Sequence, residues 1–470
     1  MLDKTFQNTN ERLTKSQENK QLSSTEIMAY CAPIAAAFFL FGPIQSVIPG
    51  IYAKYFGLEL TAIAGVIFIS RLFDAVTDPL IGFFSDRTAP RKNSRKLWVV
   101  AGCILLLLST YFLFSPPKEV SFFYFLFWFL AFYLSMTIID IPHVSWGALL
   151  APDYRERNRL YAYRVAFVKI GMFAFYALPF LPLFETQEFT PETLRISVFL
   201  GIIFMGLMLG IFWRFSPMTP TMKRLEASPA ESFSSVVNSI IKNKPLLIFI
   251  APFLLGGIGT GMWLGLLFIY LDVYLQQAEK VAMFFMVGSL TGFMAVPLWQ
   301  QLGKRLSKAS VWGLNKIIFT FTVISYYWLV TPGMEPLIPM IITAVLYICF
   351  AGESILAPSV LADIVDYGIF KFKRDRSATY FSVWSLLNKA SMGIGAALGL
   401  VIAGYFGFDP SATTHTEESV LGLKWAFSVL PGLCALTAFF LILRTPISPN
   451  RHQAIRRRIE SRQTQKDRKQ

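Results

Sequence analysis

Residues 70–86 read SRLFDAVTDPLIGFFSD and close an apolar run that begins near residue 58. A run of this length is long enough to cross hydrocarbon, yet it carries Arg71, Asp74 and Asp78. Asp74 and Asp78 are four apart, so a helix places both carboxylates on one face, one turn apart. Arg71, three residues before Asp74, shares that face. A charge at the bilayer centre costs about 2.5–3.5 kcal/mol on the insertion scale. Two carboxylates on one stripe therefore need basic partners, protons or a bound cation.

The rest of the chain sets the surroundings of this stretch. Its 470 residues are 54% hydrophobic and 16% aromatic, with a mean hydropathy of +0.51. The apolar residues come in long runs, which excludes a soluble globular protein and predicts an all-α polytopic membrane protein. The formal net charge of +14 does not point to nucleic acid, because the basic residues cluster between alternate spans in the positive-inside pattern. The partner this composition implies is the lipid bilayer. The first 26 residues are polar and lack a short apolar core, so no cleaved signal peptide is expected. Cys31, Cys103, Cys349 and Cys434 lie in apolar runs without paired spacing, as buried hydrophobes do, and predict neither a disulfide framework nor a metal centre.

Apolar runs predict twelve spans, near 27–54, 58–85, 97–115, 121–150, 160–184, 194–216, 245–275, 281–303, 311–331, 336–365, 378–407 and 421–444. The connections after spans two, four, eight and ten are basic: Arg87, Arg91, Lys92, Arg95 and Lys96; Arg155, Arg157 and Arg159; Lys304, Arg305 and Lys308; Lys371, Lys373, Arg374 and Arg376. The odd-numbered connections are poor in Lys and Arg, so both termini are expected in the cytoplasm, with the chain in the plasma (inner) membrane. A polar stretch divides the chain into an N-terminal segment (1–26), a six-helix half (27–216), a central loop (217–244), a second half (245–444) and a basic tail (445–470) carrying Arg456 to Arg458. The halves are faintly self-similar: Asp153 and Asp366 are 213 positions apart, as are Arg91 and Lys304. Two pseudo-repeated six-helix halves with a site at their midplane interface make a transporter architecture.

Further charges fall inside the spans. Asp74 and Lys389 each lie twelve residues from the basic end of their span, and Asp140 and Glu353 thirteen. At the helical rise this is roughly 18–20 Å, one shared depth near the bilayer centre. Arg164 and Lys169 add positive charge in span five. Pro79 and Pro142 free the carbonyls of Ala75 and Ile138, and broken backbone at membrane depth is tolerated where it lines a cavity. Asp74, Asp78, Thr137 and a freed carbonyl offer an all-oxygen cage for a hard cation such as Na⁺. His143, three residues after Asp140, offers either a proton relay or a hydrogen-bonded structural histidine. Trp146, Trp263 and Trp384 offer an aromatic wall or plain packing.

Three segments resemble the glycoside–pentoside–hexuronide:cation symporters, the melibiose-permease branch of the major facilitator superfamily. They are RLFDAVTDPLIGFFSDRT; the DIP of span four with DYRERNRLYAYR; and ADIVDYGIFKFKRDR leading to Lys389. The resemblance implies the major facilitator fold. It also implies a cation site at Asp74, Asp78 and Thr137, with Thr77 standing where that site has an asparagine. Asp140 and Arg164 match polar groups that bind the sugar, and Lys389 a lysine beside the site. Phe38 falls where sugar-binding members have an aspartate, and Val144 where a stacking tryptophan stands, with Trp146 two residues on. Animal lysolipid symporters are similar over the same segments, and a Phe-lined first helix suits a more apolar substrate.

The expectation is a secondary active symporter, not an enzyme. It takes up a small organic solute, a sugar or glycoside, with Na⁺ or H⁺ as the coupling ion and no other cofactor, and a single chain as the working unit. Substrate would meet Asp140, Arg164, Lys389, Trp146 and Phe38; Arg71, His143 and Glu353 would carry ion pairing or coupling. A lysolipid or other amphiphile is the alternative cargo, and a membrane sensor without transport the remote one.

Overall fold

The computed structural model describes residues 22–88, 93–151, 154–217, 241–372 and 377–444, with four positions of the tail. Most of the central loop, Asp153, and the basic residues Arg91, Lys92, Lys373, Arg374, Arg376 and Arg456 lie outside the described residues. The described residues form twelve long helical rods: α1 (Ser24–Ser46), α2 (Leu60–Thr88), α3 (Ser94–Phe114), α4 (Phe122–Leu150), α5 (Tyr154–Tyr176), α6 (Pro191–Phe215), α7 (Lys244–Tyr274), α8 (Ala278–Gly303), α9 (Lys308–Leu329), α10 (Leu337–Phe372), α11 (Ser377–Tyr405) and α12 (Glu417–Ile442). Ten are long and apolar enough to cross a membrane; α5 and α9 fall short because polar and charged residues such as Arg164, Lys169, Asn315 and Lys316 dilute them.

Local chemistry explains the ends and breaks. A capping box in which Ser23 and Glu26 bond each other's backbone N–H starts α1. Pro49 has no N–H for the Gln45 carbonyl, and α1 breaks at Val47 before resuming as Ile48–Phe56. The fifth span, expected over 160–184, instead begins at Tyr154 and gives way to a single turn, Leu178–Phe180. Its apolar end contains Pro179 and Pro182, which cannot continue a helix, while its polar start is fully helical.

The same helix pairs pack in each set of six. In the first, α1 packs on α5 and α6, α3 on α4 and α6, and α2 on α4; in the second, α7 packs on α11 and α12, α9 on α10 and α12, and α8 on α10. Small residues set the α7–α11 spacing. Gly257, Gly261 and Gly265 recur every fourth residue on α7, facing Ser391, Met392 and Ala396. A Cβ at Gly261 would stand 2.2 Å from the Met392 carbonyl oxygen, and one at Gly395 2.1 Å from that of Ile258. Backbone approach through small residues supplies the packing that a hydrophobic drive cannot supply in lipid. Leu72, Val76, Leu80 and Phe83 form an exposed stripe on the other side of α2, as a lipid-facing surface requires.

The two sets meet along α2–α11, α5–α8 and α1–α7. The polar and ring contacts between them, where both partners are described, run from mid-helix toward the face opposite the basic connections. They are Lys389 with Asp78, Tyr176 stacked on Phe285 at 4.9 Å, and Lys54 bonded to Asp272 at 2.7 Å.

Candidate functional site

Asp78 is the junction of the charge cluster. Its Oδ2 lies 2.6 Å from Lys389 Nζ on α11, and its Oδ1 accepts a 2.8 Å hydrogen bond from Thr137 Oγ1 on α4. Three helices from both sets of six are thereby tied at one carboxylate. Asp74, one turn away, is held by Arg71 Nη1 at 3.2 Å, and the guanidinium lies 4.1 Å from the centroid of the Tyr133 ring. Asp74 Oδ1 is buried and has no hydrogen-bond partner among the described residues. Gly393 lets α11 approach closely, since a Cβ there would stand 2.3 Å from Arg71 Cδ. Arg164 pairs with Asp140, joining α5 to α4.

These groups border a cavity of about 190 Å³ between the two sets of helices. Arg71, Asp74, Thr137, Asp140, Asn388 and Lys389 form its polar wall, and Phe38, Phe41, Ile44, Phe129 and Tyr133 its apolar one. Asp78 and Arg164 are not lining residues; Asp78 bonds to two that are, and Arg164 to one. The side chains of Asp140 and Lys389 are 42% and 38% exposed, against 4% for Asp74, so solvent reaches one side of the cluster and not the other. No group of three or more His, Cys, Asp or Glu side chains with metal-binding geometry occurs among the described residues. Asp74 and Thr137 present a carboxylate and a hydroxyl to the cavity, with the Asp78 carboxylate bonded to Thr137, and oxygen donors of this kind suit a hard cation.

Several expected site residues lie elsewhere. Thr77 donates to the carbonyl of Phe73 on its own helix at 3.0 Å and does not line the cavity. Trp146 is fully buried, edge-on to Tyr30 and Phe212, and forms no part of the cavity wall. Trp263 and Trp384 likewise pack away from it. His143 is fully buried and stacked on Tyr30 at 3.9 Å. Its Nε2 lies 2.9 Å from the Tyr30 carbonyl, and the Tyr30 hydroxyl donates to the His143 carbonyl at 2.6 Å. That reciprocal pair clamps α1 to α4, and His143 Nδ1 has no hydrogen-bond partner among the described residues.

Glu353 does not join the cavity either. Its Oε2 is 2.8 Å from Lys316 Nζ and accepts a 2.9 Å bond from Trp312 Nε1, in a separate cluster between α9 and α10. Asp140 and Glu353 are 213 positions apart, the offset of the half-repeat, so the two acids occupy equivalent places in α4 and α10. Asp140 itself lines the cavity and pairs with Arg164, which does not, while Glu353 and its partner Lys316 both lie away from it. Lys316 stands eight residues past Lys308, two turns deeper in the span, and a count of charges by depth would have found it. Asp272 carries no such signal, because it sits at the apolar end of a span in one turn of π-helix. No motif marks Phe41, Gln45, Tyr133 or Asn388; Phe41 and Tyr133 are each one turn from a residue that a motif or depth does mark, Asn388 directly precedes Lys389, and Gln45 is two turns from Phe38.

A putative glycoside/cation symporter of Escherichia coli (strain K12) is 21% identical over 444 residues, covering 93% of this chain and 95% of its own length. A sodium-dependent lysophosphatidylcholine symporter of Danio rerio is 20% identical over 489 residues, covering 94% and 89%. Among solved structures, a bacterial homologue of the human lysosomal transporter Spinster, inward-facing and unoccupied, superposes with a TM-score of 0.65 at 15% identity over 91% of this chain and 98% of its own. The fold is that of major facilitator transporters, a class of multi-pass membrane proteins that move small molecules and are not enzymes. The family described as MFS/sugar transport protein matches residues 29–449, most of the sequence, and the chain belongs to that family.

Proposed function

We propose that the chain is a cation-coupled symporter of a small organic solute, a sugar or glycoside, working as a single chain in the plasma membrane with its basic face in the cytoplasm. The observation that carries this is the position of Lys389 on Asp78: a fixed ammonium from one half occupies the carboxylate that a coupling cation would need. A cation arriving at Asp74, Asp78 and Thr137 competes with that ammonium. Once released, Lys389 presents its charge to the cavity beside Asp140 and Arg164. Cation and substrate then raise each other's affinity, as linkage requires. Asp74 Oδ1, buried and unpartnered, is the oxygen best prepared to receive the ion.

Counterflow of labelled substrate in liposomes containing the purified chain tests the reading, with imposed Na⁺ and pH gradients compared to identify the ion. Asp78→Asn is expected to abolish accumulation and the cation dependence of binding together. Accumulation lost with cation-dependent binding intact would refute the cation site. The apolar wall of Phe38, Phe41, Ile44 and Phe129 favours a second cargo, an amphiphile such as a lysolipid. Competition of uptake by lysolipids against glycosides separates the two.

A further inference from the structure

A smaller cavity of about 60 Å³ adjoins the main one, sharing Gln45 and Leu264 as lining residues. Lys169 stands in its wall. Four helices turn one face each toward it and α7 adds Leu264: Gly42, Gln45 and Ser46 on α1, Lys169, Met172 and Tyr176 on α5, Ser289 and Gly292 on α8, and Tyr347, Phe350 and Ala351 on α10. Each set follows the three- and four-residue spacing of a single helix face. The Tyr176 hydroxyl is already committed to Ser46 and the Gly42 carbonyl. No hydrogen bond or ion pair to another described residue engages Lys169 Nζ, the Gln45 amide or the Ser289 hydroxyl.

The charge balance is uneven. Arg71 matches Asp74, Lys389 matches Asp78 and Arg164 matches Asp140. Lys169 is the one charged residue lining either cavity that has no opposite charge among the described residues. An ammonium at membrane depth without a counter-ion is expensive, and hydrocarbon or amide side chains would fill the same place at lower cost. Each of the three uncommitted groups can donate a hydrogen bond, the ammonium only as a donor, and no acid faces them in this cavity.

We propose that Lys169, Gln45 and Ser289 form an anion subsite beside the main cavity, and that the transported solute carries a carboxylate or phosphate group that docks there while its body fills the main cavity. This rests on the symport reading above and adds the charge of the cargo. The subsite takes groups from α1 and α5 of one half and α8 of the other, so a bound anion bridges the halves and compensates the buried charge in the same step.

Equilibrium binding to the full chain in nanodiscs, read by tryptophan fluorescence, tests the subsite with matched probes. Phenyl β-D-glucuronide is compared with phenyl β-D-glucoside for the carboxylate, and glucose 6-phosphate with glucose for the phosphate. At least one anion is expected to bind about tenfold or more tightly than its neutral twin, the scale of a charge-assisted hydrogen bond. Lys169→Gln should erase that preference and leave the neutral twin unchanged, and Lys169→Arg should keep it. If Lys169→Gln does not fold, Ser289→Ala should lower the preference about threefold. Parity of both pairs in the unmodified protein, absence of anion binding, or a preference that survives these variants overturns the subsite. Flux separates this from the parent reading. Lys169-dependent anion binding without cation-driven uptake upholds the subsite and defeats symport; cation-driven uptake of a neutral twin, indifferent to Lys169→Gln, does the reverse.

Discussion

Lys389 Nζ lies 2.6 Å from Asp78 Oδ2, although 311 positions separate the two residues in the chain. The pair joins the halves at the cavity, and on the proposed reading its dissociation frees a carboxylate for a cation. Lys389→Gln removes the competing ammonium. Cation-dependent fluorescence quenching should then show about tenfold tighter cation binding, with substrate no longer strengthening it. Weaker cation binding in this variant would show that Lys389 assists the ion instead of competing with it.

Lys54 and Asp272 close the opposite face, the aspartate side chain 3% exposed and the lysine 26%. Asp272→Asn keeps the shape and loses the charge pair, so the population open to that face should rise by about threefold to tenfold. The measurement is the labelling rate of Phe38→Cys, a cavity position, by a membrane-impermeant thiol reagent added on that side. The native cysteines at 31, 103 and 349 are buried, and the half-buried Cys434 is replaced by Ser to keep the background low.

Lys316 and Glu353 are 3% and 13% exposed at the side chain and sit apart from the cavity. Removing one partner of a buried pair costs about 3–5 kcal/mol, while replacing both by apolar groups is often neutral. Lys316→Met should therefore lower the Tm in detergent markedly, and the double variant Lys316→Met/Glu353→Leu should recover most of the loss. Transport should follow stability across the series, because neither group lines the cavity.

The α7–α11 contact leaves no room for a side chain at Gly395. Gly395→Ala should lower the Tm by several degrees, and Gly395→Val should shift the protein toward aggregates in size-exclusion chromatography. An alanine variant as stable as the parent would mean that α11 can back away from the Ile258 carbonyl without consequence.

Much of this architecture is a property of the sequence alone. Twelve runs of membrane length, the alternation of basic connections and the 213-residue offset do not depend on what packs against what. Helical spacing likewise put Asp74 and Asp78 on one face, with Arg71 beside them and Thr137 at a matching depth. Spacing describes a residue's place on its own helix and is silent about the helix across from it. Tertiary structure decided that Asp78 belongs to Lys389, that Glu353 turns to Lys316 and away from the cavity, and that His143 and Trp146 are spent on joining α1 to α4. It also decided that Lys169 faces a pocket with no acid in it. The physical reason is that lipid tails are as apolar as the helix surfaces they touch, so hydrophobic pattern cannot select neighbours. The selection falls to close contacts of small residues and to buried charges, and which of these meet is set only when the helices are assembled.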